Sequence, residues 1–145
     1  EFLLFLHADT LPPENFPDII VGILNRPQVA GGAFRFMLRG NLGASQLIEA
    51  LVGLRCRLLG TPDGDQGIFI RRSMFGHLKG FPDSPVMEDL HFIRKARKSG
   101  KIRISKEAAL TSACRWEHGG LVRTCLRLIF HRIGIPQRHI SRPQD

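Results

Sequence analysis

The chain has no tyrosine, a single tryptophan and only three cysteines among its 145 residues. Cys56, Cys114 and Cys125 are odd in number, show no C-x-x-C spacing and have no histidines at finger spacing. This argues against a disulfide framework or a structural zinc site and points to a reducing compartment, the cytoplasm. No apolar run approaches the roughly 20 residues that span a bilayer. The ten phenylalanines fall mostly at core-like positions, so the chain is poor in the exposed aromatics on which bases stack. Acids are scarce as well. Thirteen Asp and Glu face 21 Lys and Arg, a formal charge of +8 and a pI near 10.4. Such an excess suits an anionic partner, either an acidic membrane surface or a phosphate-bearing ligand. The basic residues are spread out, at Arg71-Arg72, at Arg94-Lys95-Ala96-Arg97-Lys98 and after Arg115. A nucleic-acid interface would gather them into one patch, so no nucleic-acid partner is expected.

What is present is ordinary for one globular domain, with 43% hydrophobic and 23% charged residues. The sequence opens, without a start methionine, on Phe2-Leu3-Leu4-Phe5-Leu6 followed at once by His7-Ala8-Asp9. A short continuous apolar run predicts a strand buried on both faces, of the kind found in parallel sheets. An acid just past its end stands where open α/β sheets bind ligands. The chain therefore reads as one that begins inside a domain, at the functional edge of its sheet.

Further on, Pro12-Pro13 can start a helix, and Phe16, Ile19, Ile20, Ile23 and Leu24 form one apolar helical face that ends at Asn25-Arg26-Pro27. Residues 29–38 are β-like, with Gly31-Gly32 marking a close approach of a ligand or another strand. A second amphipathic helix runs from about Ala44 to Leu59, with Leu47, Ile48, Leu51, Val52, Leu54, Leu58 and Leu59 as its apolar set. A loop over 60–67 feeds a strand at 68–70, and Ser73 is the expected cap of a brief helix stopped by Lys79-Gly80. A helix over 87–99 is closed by Gly100. Two short strands follow, at 101–105 and 108–113, then a last helix over about 121–133. This alternation argues an α/β fold.

Four polar clusters stand at strand ends or loop mouths: His7-x-Asp9, Asp63-x-Asp65-Gln66, Glu88-Asp89 and Arg115-Trp116-Glu117. Each has a plain structural reading. Acids cap turns, Asp-Gly-Asp forms loops, and carboxylates favour helix N-termini through the macrodipole. Their order and spacing carry more than any one of them. Together with Leu4-Phe5-Leu6, Gly32-Ala33-Phe34-Arg35, Gly64-Asp65-Gln66-Gly67, Gly80-Phe81-Pro82 and Met87-Glu88-Asp89, the set resembles family 2 glycosyltransferases of the GT-A fold. Within them it is similar to the bacterial rSAM/selenodomain-associated transferase 2 branch.

The resemblance implies the C-terminal part of a GT-A mixed sheet flanked by helices, over residues 1–135, with a tail at 136–145. It also implies that the opening nucleotide-binding units are absent and that this piece alone binds donor weakly. The implied reaction is inverting transfer of a sugar from a nucleotide-diphosphate donor to a hydroxyl acceptor, possible on lipid-linked acceptors, assisted by Mg²⁺ or Mn²⁺. Asp9 matches the last acid of the family's D-x-D and is the implied metal ligand, while His7 stands where the first acid is expected and is assigned to the donor. Asp89 is the implied general base with Glu88 beside it. Asp65 and Gln66 are assigned to the donor-sugar or acceptor pocket, Arg115 to the diphosphate and Trp116 to a sugar face. A competing reading from the residues is a membrane-surface module, because Arg123, Arg127 and His131 oppose Leu121, Val122, Leu126, Ile129 and Ile133 on the last helix. That would place the protein peripherally at the inner face of the membrane.

Overall fold

The computed structural model describes residues 1–40, 45–83 and 87–113. Nearly all of them belong to one compact unit, Glu1–Ser112, and a second unit is Ala113–Asp145. The expected last helix, the tail, Arg115 and Trp116 lie outside the described residues.

The first unit is a mixed α/β layer. Five strands, β1 (Phe2–Phe5), β2 (Thr10–Leu11), β3 (Val29–Arg39), β4 (Ile68–Arg71) and β5 (Lys101–Ser112), form one sheet in the order β1-β4-β3-β5-β2. Only β3 and β5 pair in parallel, and the other three pairings are antiparallel. The helices α1 (Phe16–Leu24), α2 (Ser45–Leu59), α3 (Arg72–His77) and α4 (Glu88–Ser99) occupy the connections. No helix among the described residues is long and apolar enough to cross a membrane.

The opening apolar run does form a strand, and alternate side chains of β1 do enter two different cores. Phe2 and Leu4 pack with Phe34 and Phe69 beneath α1, whereas Leu3 and Phe5 pack with Ile70, Phe75 and Phe92 on the side of α3 and α4. The parallel setting expected for it is corrected. β1 is an edge strand, half-buried, and its partner β4 runs the opposite way, with Phe5 opposite Ile68. Antiparallel pairing brings the end of β1 beside the start of β4, and so beside the loop that precedes β4.

Gly31 and Gly32 serve a neighbouring strand rather than a ligand. A Cβ on Gly32 would lie 2.5 Å from both the Arg103 carbonyl oxygen and the Phe69 ring, and one on Gly31 would lie 2.9 Å from the Phe69 carbonyl oxygen. The two strands read at 101–105 and 108–113 are one strand. Between Ala33↔Ile104 and Arg35↔Ala108 its register jumps in a bulge, where Arg35 Nε donates to the Lys106 carbonyl at 3.1 Å. Helix starts shift too. Pro17, not Pro12-Pro13, occupies the first turn of α1, where its missing N–H costs nothing. β4 runs directly into α3, so Ser73 lies inside that helix and caps nothing.

The two edges of the sheet are joined by residues 6–9 alone. In a flat sheet four inter-strand gaps of about 4.8 Å would hold β1 and β2 about 19 Å apart. The chain cannot reach that far. A turn closed by Thr10 N–H on the His7 carbonyl at 3.1 Å limits the path from Phe5 to Thr10 to about 14 Å. The sheet must therefore curl, and the turn spans its mouth. Thr10 Oγ1 and Thr111 Oγ1, buried and 3.0 Å apart, fasten β2 to β5 on the far side.

Candidate metal centre

The mouth of the curl gathers three of the four polar clusters. Asp9 sits in the bridging turn, exposed, with its backbone carbonyl accepting from Ser112 N–H at 3.2 Å. His7 opens that turn, and its Nδ1 lies 2.6 Å from Asp65 Oδ1, a charge-assisted contact when the imidazole is protonated. Asp65 belongs to a 3₁₀ turn, Gly64–Gln66, that leads into β4. One ligand atom from each of His7, Asp9 and Asp65 lies within 4.8 Å of the others. Two carboxylates and an imidazole nitrogen make a suitable donor set for a divalent cation that keeps several waters.

Gly64 is what lets this corner close. A Cβ there would fall 2.3 Å from His7 Nε2, so the imidazole lies directly against the glycine backbone. The same glycine ties the corner to α4, because its N–H donates to Asp89 Oδ2 at 2.9 Å. Asp89 Oδ1 accepts from Leu90 N–H at 2.7 Å. The helix-start role and a place beside the site are thus both met by one carboxylate. Glu88, the residue before it, is exposed.

Gln66 takes a different place from the one expected. It is 1% exposed, its Nε2 donates to the Phe34 carbonyl at 3.0 Å, and its Oε1 accepts from Asp63 N–H at 3.1 Å and Cys56 Sγ at 3.2 Å. Instead of lining a substrate pocket, it forms the inner wall that shapes the loop. Its return to Asp63 N–H is the second half of a capping box, a D-x-x-Q spacing visible in the sequence.

Arg55 and Cys56 carry no motif, yet they hold the loop from α2. Arg55 Nη2 meets Asp63 Oδ2 at 2.5 Å, and both side chains are mostly buried. Burial works against the guanidinium charge. The attraction of Asp63, with Cys56 beside it, outweighs that cost and holds the Arg55 pKa above its ordinary value. Its Nε is buried without a hydrogen-bond partner. The signal available was Arg55, set among the leucines of α2.

No family model, curated protein or solved structure matches this chain. The functional reading therefore rests on the corner itself and on the sequence resemblance.

Proposed function

We propose that this chain carries the metal and acceptor side of an inverting glycosyltransferase site of the GT-A type. The observation that supports it most is the convergence of His7, Asp9 and Asp65 at one strand end, with Asp89 bound to the same loop. These residues come from three separate stretches of sequence. Asp9 and Asp65 would hold Mg²⁺ or Mn²⁺, with a ring nitrogen of His7 as the third ligand. When bound there, a cation would supply charge neutralisation for the leaving diphosphate. An imidazole in place of a third oxygen moves the preference from Mg²⁺ toward Mn²⁺.

Asp89 acts as general base. Each of its oxygens accepts one N–H and keeps further acceptor capacity, so the carboxylate is held in a fixed position. It takes the proton of the acceptor hydroxyl as that oxygen displaces the nucleoside diphosphate from the anomeric carbon. Gln66, Arg55 and Asp63 keep the loop in shape and stay out of the chemistry.

Titration of free Mn²⁺ by electron paramagnetic resonance tests the reading. The signal falls when the protein is added, while Asp9→Asn and Asp65→Asn restore it. Mn²⁺ that stays free, or variants that bind it as well as the parent, would sink the proposal. Asp89→Asn separates a transferase from a mere metal binder. In a transferase it lowers sugar transfer by about 10²–10⁴-fold while Mn²⁺ binding persists.

A further inference from the structure

The sequence reads α2 as a helix that packs its leucines, and the structure turns most of them outward. Ile48, Val52 and Cys56 are its buried residues. Leu47, Leu51, Leu54 and Leu58 recur at i, i+4, i+7 and i+11, which makes one continuous row along the helix. They are 62%, 48%, 53% and 73% exposed, and Leu59 is 47% exposed at the end of the row. Scattered surface leucines need no explanation, whereas a contiguous row of them marks a contact surface. The helix cannot roll to hide it. Glu49 Oε1 accepts from Leu38 N–H at 3.0 Å, and Arg55 is locked to Asp63.

The exposed charged side chain of α2 is basic. Glu49, the acid of α2, is turned toward β3 by its bond to Leu38. Arg57 is exposed on the helix itself. Arg97 donates to the Leu59 carbonyl at the C-terminal end. Arg39, also exposed, follows Leu38 at the other end.

We propose that this face of α2 docks on an anionic lipid bilayer. The leucines enter the boundary between headgroups and acyl chains, and Arg39, Arg57 and Arg97 meet lipid phosphates. A second copy of the chain fits the charge less well, because pairing two α2 rows would join chains of +8 each and set Arg57 against no acid. At 15 residues the helix is about 22 Å long, suited to lying in the interface. The proposal does not depend on the transferase reading. It would nonetheless place the Asp63–Gln66 loop, which α2 holds from behind, close to a membrane.

The test uses the full chain and vesicles of phosphatidylcholine with or without phosphatidylglycerol. The parent protein co-sediments with the anionic vesicles, and Leu51→Ser with Leu54→Ser and Leu58→Ser weakens that binding about tenfold or more, while Mn²⁺ binding stays unchanged. Arg57→Ala with Arg97→Ala removes part of the salt-sensitive attraction. Insertion is read directly from Leu54→Trp in a Trp116→Phe background, whose emission is quenched by brominated acyl chains. Unquenched emission overturns the proposal, as does vesicle binding by the serine variant at the parent's level. Leucine-dependent self-association in sedimentation, with the tryptophan unquenched, gives the face to a second copy and likewise overturns it.

Discussion

At the scale of single residues, Gly64 is the position on which the corner depends most. Its role is steric, since a methyl group there would occupy the space of the His7 ring. The obstacle is the tip of a half-exposed side chain, so the ring swings away and the backbone stays. Gly64→Ala should therefore leave stability within about 1 kcal/mol of the parent, below the usual cost of overpacking a rigid core. It should still break the His7–Asp65 pair and lower Mn²⁺ affinity about tenfold, or about 1.4 kcal/mol. Calorimetric titration and a thermal melt of the same sample measure both. Unchanged affinity would remove His7 from the donor set. The sequence made His7, Asp9, Asp65 and Asp89 legible as candidates through the order and spacing of their motifs, since each motif alone also serves as a cap or turn. It did not show that Gln66 faces inward, because burial of an amide depends on partners 10 and 32 residues away, Cys56 and Phe34.

At the scale of elements, α2 and the 63–66 loop act as one unit through Arg55 and Asp63. Removing either partner leaves the other charge mostly buried. The double change Arg55→Met with Asp63→Asn should therefore cost less than the sum of the two single changes, with a coupling of about 1–3 kcal/mol. Urea denaturation of the four proteins measures it, and additive losses would mean that the pair is not coupled. Periodicity located α1, α2 and α4 well, because each contains an apolar row at helical spacing. It could not tell which apolar residues of α2 face inward. Both Ile48-Val52-Cys56 and Leu47-Leu51-Leu54-Leu58 are apolar rows, and the choice between them was made by polar anchors, Glu49 on Leu38 and Arg55 on Asp63. The two-residue strand β2 left no pattern to read. The bulge in β5 looked like a break because Ser105-Lys106-Glu107 interrupts the apolar alternation.

At the scale of the whole sheet, the two cores on its opposite faces differ in character. One is built around Phe34 and Phe69. The other is an aromatic cluster in which Phe5, Phe75, Phe81 and Phe92 meet in tilted and edge-to-face pairs with centroids 4.7–5.6 Å apart. Phe92 is fully buried and touches two members of that cluster. Phe92→Ala should cost about 3–5 kcal/mol, a large part of the stability of a unit this size. A chemical denaturation midpoint close to the parent's would contradict that.

The turn at the mouth of the curl joins strands that sit at opposite rims of the sheet, and rim strands are where local opening begins. His7 and Asp9 lie in that turn, and Asp65 lies on the loop feeding β4. An ion held by all three would link the opening of one rim to the opening of the other. At a hundredfold excess over its dissociation constant it would add about 2.7 kcal/mol against any opening that releases it. Amide hydrogen exchange in β1 and β2 should then slow together as Mn²⁺ is added, by the same factor, although the two strands share no hydrogen bond in the sheet order.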